Sequence, residues 1–167
     1  EETVSLLDVA GAYIWLVEGD ELIGVAAQGL GESTFQGRRV ELSSTYFESA
    51  VARERAPHMV TNAEANDSPF SQTALNIAPV HAMLGVPLTR EDTVVGVMMC
   101  VQTDSRAHFV NDDIEKLLTL SVQAAIALEN ARLYADVDSR AQQLSVLTEV
   151  SGELASTLEP DAVVQML

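Results

Sequence analysis

Between Asn111 and Glu159 the chain carries no proline, and its apolar residues recur at helical spacing. An unbroken helix over that span would be about 70 Å long at 1.5 Å rise per residue, far longer than one small core can cover. The helix must therefore begin on a domain and then leave it. Asn111 is placed as its N-cap, with Asp112 and Asp113 favouring the positive end of the helix dipole. Leu117, Leu120, Ala124, Ala127 and Ala131 fit a face packed on a sheet, whereas Val137, Leu144, Leu147, Leu154 and Leu158 fall on heptad a and d sites. Arg140 and Ser151 occupy the other two sites of that frame, and the seam changes frame between residues 131 and 137. The expectation is a domain over residues 1–137, and over 138–167 a helical linker or coiled coil that begins a following module.

Upstream, the pattern is an alternation of short strands and helices. The aromatic and β-branched run "GAYIWLV" from Gly11 turns through "EGD" into "ELIGVAAQG", a hairpin signature. "VEL" at 40–42 reads as a short third strand. "TYFESAVARER" reads as a helix, with Thr45 and Glu48 spaced as a capping box and Pro57 beyond its end. "HMVT" at 58–61 is a candidate edge strand, and Pro69 suits the first turn of a short helix carrying Phe70, Ala74 and Ile77 on one face. Two longer strands follow, Ala82 to Thr89 and Thr93 to Thr103, joined by "REDT". The fold class is α/β (α+β): a central antiparallel sheet flanked by helices, with a long C-terminal helix.

A formal net charge of −16 opposes association with nucleic acid or anionic lipid, since a phosphate surface would repel the chain at long range. No stretch has the length and apolarity of a membrane span, so no membrane contact by this segment is expected and a cytoplasmic location is. A single cysteine builds no disulfide framework, and Cys100 lies in an apolar strand with no neighbouring base to activate it. The structural reading, a buried thiol acting as a small hydrophobe, outweighs a catalytic one. His58, His81 and His108 are scattered, without metal-ligand spacing.

The string "LGVPLTREDTVVGVMMCVQTD", followed by "HFVNDDIEKLLTLSVQAAIALENARLY", resembles the second half of a GAF domain. The resemblance rests on Val86, Pro87 and Leu88, on Gly96, on Phe109 and Asp113, and on Glu129 through Leu133. Upstream, "APHMVTNAEANDSPF" resembles the family's short strand, acidic loop and D-x-x-F element, here Asp67 and Phe70. What the resemblance implies is a sheet of five or six strands with a small-molecule pocket on one face and the entry and exit helices on the other. It also implies a homodimer signalling through the exit helix to an output domain elsewhere in the same polypeptide. The first residues are too short for the family's usual entry helix. The segment after Gln143 therefore has two readings: a coiled coil, or a fold-back that replaces that helix.

Family variants with cofactors fit these residues poorly. Bilin-binding relatives need a cysteine that reaches the pocket, and heme-binding ones a histidine upstream of His81, near Ile77. Cyclic-nucleotide binders carry Asn, Lys and Glu where this chain has Ser105, Arg106 and Ile114. Heme, bilin and cyclic nucleotide are each disfavoured, and no metal or cofactor is assigned. With no nucleophile and base pair in view, the chain is not expected to be an enzyme. The pocket candidates are Trp15 (or Tyr13), Phe47, Val51, Met59, Asp67, Phe70, His81 and Met83, each also an ordinary core residue. Two functions remain: a sensory domain that binds an unknown small molecule, or a ligand-free module for dimerisation and signal transmission. The chain-wide acidity favours a neutral or cationic ligand.

Overall fold

Two antiparallel pairs form the centre of the sheet. In the computed structural model, which describes residues 7–61, 72–75, 79–106 and 108–157, β1 (Gly11–Glu18) pairs with β2 (Glu21–Gly29) and, on its other side, with the last strand. That last strand is β6 (Thr93–Gln102), itself paired with β5 (Ala82–Arg90). Short β3 (Arg39–Glu41) and β4 (His58–Val60) close the two edges, giving the order β3-β2-β1-β6-β5-β4, antiparallel throughout. The helices are α1 (Phe47–Glu54) and α2 (Asn111–Thr157), with one 3-10 turn at Glu32–Thr34. Side chains at 132, 135, 136, 138, 139 and 143–157 lie outside the description.

Alternation along the strands sorts the core into two faces. Register places Tyr13 opposite Met99 and Trp15 opposite Val97, while Met83 faces Val101. These residues join Phe35, Phe47 and Val51 in one buried cluster, with Phe35 packed against both the Tyr13 and Trp15 rings. The indole N–H of Trp15 donates to the Met99 sulfur at 3.4 Å. On the other face Leu84, Val86, Leu88 and Cys100 are fully buried. Asp113 at the start of α2 is near enough for its charge to act on the Cys100 thiol.

Close approach explains two glycines. A Cβ at Gly85 would stand 2.6 Å from the Phe47 ring and 3.0 Å from Val51 Cγ2, so α1 can settle on β5 only because that position is bare. At Gly96 a Cβ would meet the Trp15 carbonyl oxygen at 2.2 Å. Pro87 lies past the stretch of β5 that β4 covers, which runs only from Met83 to Gly85; a residue without an N–H is tolerated on such an edge.

Several local expectations need correction. Thr45 does not cap α1: Tyr46 holds the N-cap position with no side-chain hydrogen bond, and Glu48 turns inward instead of back to the cap. Asn111 is the first helical residue of α2 and not its cap. Val110 precedes it, and its N–H is held at 3.0 Å by Asp113 Oδ2, the acidic half of a capping box. The buried line of α2 is Leu117, Ser121 and Ala125; Leu120 and Ala124 are half-buried, while Ala127 and Ala131 are exposed. Leu75 and Ala74 sit in a turn, and the rest of the helix expected from Pro69 lies outside the described residues.

The chain divides into two units, residues 1–126 and residues 127–167. In the first, Leu118, Val122 and Ile126 of α2 are exposed at 37%, 59% and 57%; in the second, Leu133, Tyr134 and Val137 are exposed.

Candidate functional site

Six of the expected pocket residues fall among the described ones, and they divide. Trp15, Phe47, Val51 and Met83 come together, yet each is wholly buried in the core cluster beneath α1. They fill the space that they were expected to line. Met59 on β4 and His81 just before β5 are half-buried, and the His81 N–H is spent on the Gln102 carbonyl at 2.8 Å. Asp67 and Phe70 lie outside the described residues.

Open space occurs instead at the β3 end of the sheet. A cleft of about 570 Å³ runs between Arg38, Arg39 and Glu41 on one side, Ser44 and Tyr46 at the approach to α1, and Thr73 and Ala74 opposite. That volume is in the range of small-molecule sites, roughly 300–1,000 Å³.

One residue on its wall is gripped from both ends. Glu48 Oε1 accepts the Ala74 N–H at 2.8 Å, and Arg38 Nη1 donates to the Ala74 carbonyl at 2.6 Å. A third tie, from the Phe47 N–H to the Gln72 carbonyl at 2.8 Å, fixes the same segment to the first turn of α1. Two charged side chains from different elements thus hold a segment that is otherwise irregular, and they hold it against α1.

The electrostatics of the grip are unusual. Glu48 is fully buried, and its Oε2 has no hydrogen-bond partner among the described residues. Burial pushes its carboxyl above the ordinary range, while its own and the Ala74 backbone N–H, the nearby Thr73 hydroxyl and the Arg38 charge pull it part of the way back. Arg38 itself touches only carbonyls, those of Ala74 and Thr34, whereas Arg39 is paired with Glu21 at 2.7 Å on the surface. Arg53 at the end of α1 likewise bonds the Leu42 and Ser44 carbonyls.

Two further groups are shifted by burial. Burial, with a smaller push from Asp113, raises the Cys100 thiol to about 12, and the thiol lies on the far face of the sheet from Trp15. The Tyr13 hydroxyl, also raised to about 12 by burial and then by Cys100, donates to the Leu30 carbonyl.

Sequence reasoning missed Arg38, Ser44, Thr73 and Ala74, which carry no motif. Glu48 left one signal: it shares the buried helix face of Val51 and Ala52 at i+3 and i+4, where a purely surface carboxylate would not be expected.

The GAF domain family model matches residues 1–128. Among solved structures, the chain is similar to the GAF-B domain of DevS from Mycobacterium smegmatis, at 20% identity and TM-score 0.64, over 81% of this chain and 91% of that one. It is similar to the GAF domain of a phosphoenolpyruvate-protein phosphotransferase from Coxiella burnetii, at 20% identity and TM-score 0.68, over 79% of each chain. A third likeness is to the GAF domain of a two-component sensor histidine kinase from Bacillus halodurans, at 18% identity and TM-score 0.65, over 80% of this chain and 91% of that one. At such identities the structural likenesses speak to the fold.

Proposed function

The chain belongs to the GAF domain family of sensory and regulatory signalling domains, and from that premise we propose that it is the non-catalytic input module of a longer signalling protein. In this reading a small molecule enters the cleft beside Ala74, α1 shifts with it, and the change passes through the sheet to α2 and on to an output domain in the same polypeptide. The observation that carries the reading is the two-ended grip on Ala74, because it makes one wall of the cleft a part of α1's own support. α1 in turn rests its Phe47 and Val51 on Gly85 of β5, whose neighbours Leu84 and Val86 are fully buried on the opposite face of the sheet. A ligand that prefers one arrangement of this stack shifts its population by the difference in affinity.

The output end of the relay is read from α2. In the heptad frame of Leu147 and Leu154, the exposed Ile126 and Leu133 fall on earlier d sites, and exposed Val137 on an a site. Their exposure supports a parallel homodimer whose seam begins within the domain's own last turns, before the frame change expected at 131–137. Leu144, Leu147 and Leu154 lie in the same helix with side chains outside the description, and Leu158 lies outside the described residues.

Native mass spectrometry of protein purified from cells, paired with hydrogen exchange, tests the sensory reading. A stoichiometric small molecule should be retained, and its removal should change the exchange rate at the Ala74 amide. A bare polypeptide mass, with Ala74 exchange unmoved by a metabolite library, would favour the second reading: a ligand-free dimerisation module. That alternative draws support from the closed packing of Trp15, Phe47, Val51 and Met83.

A further inference from the structure

We propose that the cleft takes its small molecule by a carboxylate, which the Arg38 guanidinium accepts in exchange for the Ala74 carbonyl. The proposal rests on the sensory reading above and names the ligand class for that site. Its basis is the local charge, which runs opposite to that of the whole chain. The protein has 9 basic residues among 167, and three of them, Arg38, Arg39 and Arg53, stand on or beside this cleft. Arg39 is satisfied by Glu21, but among the described residues Arg38 and Arg53 hydrogen-bond only to backbone carbonyls. A guanidinium bound to neutral acceptors has exchanged weaker bonds for the charge-assisted, two-pronged contact that a carboxylate would give. Glu48 is the internal acid nearest in role. Its Oε1 is turned to the Ala74 N–H and no ion pair joins it to Arg38 among the described residues, so it leaves the guanidinium open to an outside anion.

The rest of the lining suits a small polar acid. Ser44, Tyr46 and Thr73 offer hydroxyls, and Val40 offers one apolar surface. Glu41 adds a negative charge to the lining and disfavours ligands that carry a second carboxylate toward it. Taking Arg38 frees the Ala74 carbonyl while Glu48 keeps its N–H, so occupancy converts a two-ended grip into a one-ended one. The bland reading, in which Arg38 is purely a structural tether, predicts that anions leave Ala74 alone.

The test uses isotope-labelled full-length chain and four probes: butyrate and benzoate, with butyramide and benzamide as their neutral counterparts. Expected are saturable shifts of the Ala74 amide and the Arg38 Nε–H with both acids and with neither amide. Arg38→Gln should weaken acid binding by roughly tenfold or more, and Arg106→Gln, which removes an exposed charge that does not line the cleft, by less than about twofold. If Arg38→Gln does not fold, Arg38→Lys keeps the charge without the fork and should still weaken both acids. Equal binding of acids and amides would overturn the carboxylate while leaving the cleft as a site. Inorganic phosphate displacing either acid at equal concentration would reduce the site to a general anion contact and overturn it as well. Absence of any shift would refute the ligand class, and the mass-spectrometric test of the sensory reading would stand unaffected.

Discussion

Gly85 offers the sharpest test of how α1 is seated. Replacing it with alanine introduces a Cβ 2.6 Å from Phe47 Cε1, 3.0 Å from Val51 Cγ2 and 3.2 Å from Phe47 Cζ. Carbon atoms sit comfortably at about 3.5–4.0 Å, so the Phe47 ring must retreat by about 1 Å. Phe47 is fully buried among Trp15, Met83 and Met99, and it has nowhere to go without moving the helix. Overpacking of this kind costs about 1–3 kcal/mol. Lost backbone freedom in the unfolded chain returns about 0.4–1 kcal/mol, because the φ of Gly85 is one that alanine can adopt. From the middle of the two ranges the net loss is about 1.3 kcal/mol, or roughly 3–8 °C in melting temperature for a domain of this size. Circular dichroism melts of the wild type, Gly85→Ala, Phe47→Leu and the double variant form a cycle. Leucine lacks the ring edge that the new methyl strikes, so Gly85→Ala should cost measurably less in the Phe47→Leu background. A Gly85→Ala protein melting within about 1 °C of the wild type, or strictly additive effects, would refute the close seating of α1 on β5.

Glu48→Gln should change the pH dependence of stability more than its absolute value. The folded state raises the Glu48 carboxyl above its unfolded value, so the native chain holds a proton that the unfolded chain has already lost, and stability falls as pH rises from the ordinary carboxylate range through the raised one. Urea melts across that range should show a shallower slope in the variant; parallel slopes would contradict the assignment. Cys100 should be inert to thiol reagents in the native protein, since a thiol near 12 has at pH 8 about a thousandth of the thiolate of an unperturbed one, and burial slows it further. Rapid labelling without denaturant would show that the far face of the sheet opens. The double substitution Leu144→Asp and Leu147→Asp should convert the proposed dimer to a folded monomer in sedimentation at micromolar concentration, and an unchanged dimer mass would refute the parallel coiled coil.

The sheet was legible because its strands announce themselves by period and punctuation. "EGD" and "REDT" each bound two β-rich runs, and the observed strands end within a residue or two of those turns. Helix starts were less legible, for a physical reason. Thr45 and Glu48 satisfy a capping-box spacing, but a carboxylate at that spacing can serve either its own helix or a neighbouring segment, and the choice depends on whether that segment is within reach. Here Ala74 is within reach, 26 residues away, and local sequence cannot report it. The same ambiguity ran the other way at Asp113, where an acid read only as a dipole partner proved to hold the Val110 N–H.

The site was the least legible part, because apolar residues at alternating positions say that a face is buried without saying by what. Alternation puts Tyr13 and Trp15 on a common face, yet whether that face holds a ligand or its own side chains turns on Phe35 and Phe47, which come from a 3-10 turn and a helix whose placement over the sheet no periodicity encodes. Whole-chain charge is a coarse guide for a related reason. Acidity summed over 167 residues governs encounters at a distance, but within a few ångströms of a cleft wall the partners of individual groups decide. Arg38 illustrates the difference: an acidic chain places it opposite a carbonyl instead of a carboxylate, and so keeps one strongly cationic contact at the point where α1, β3 and the segment carrying Ala74 meet. A ligand that exploits that contact acts on all three elements at once, which is what a small input must do to move a helix as long as α2.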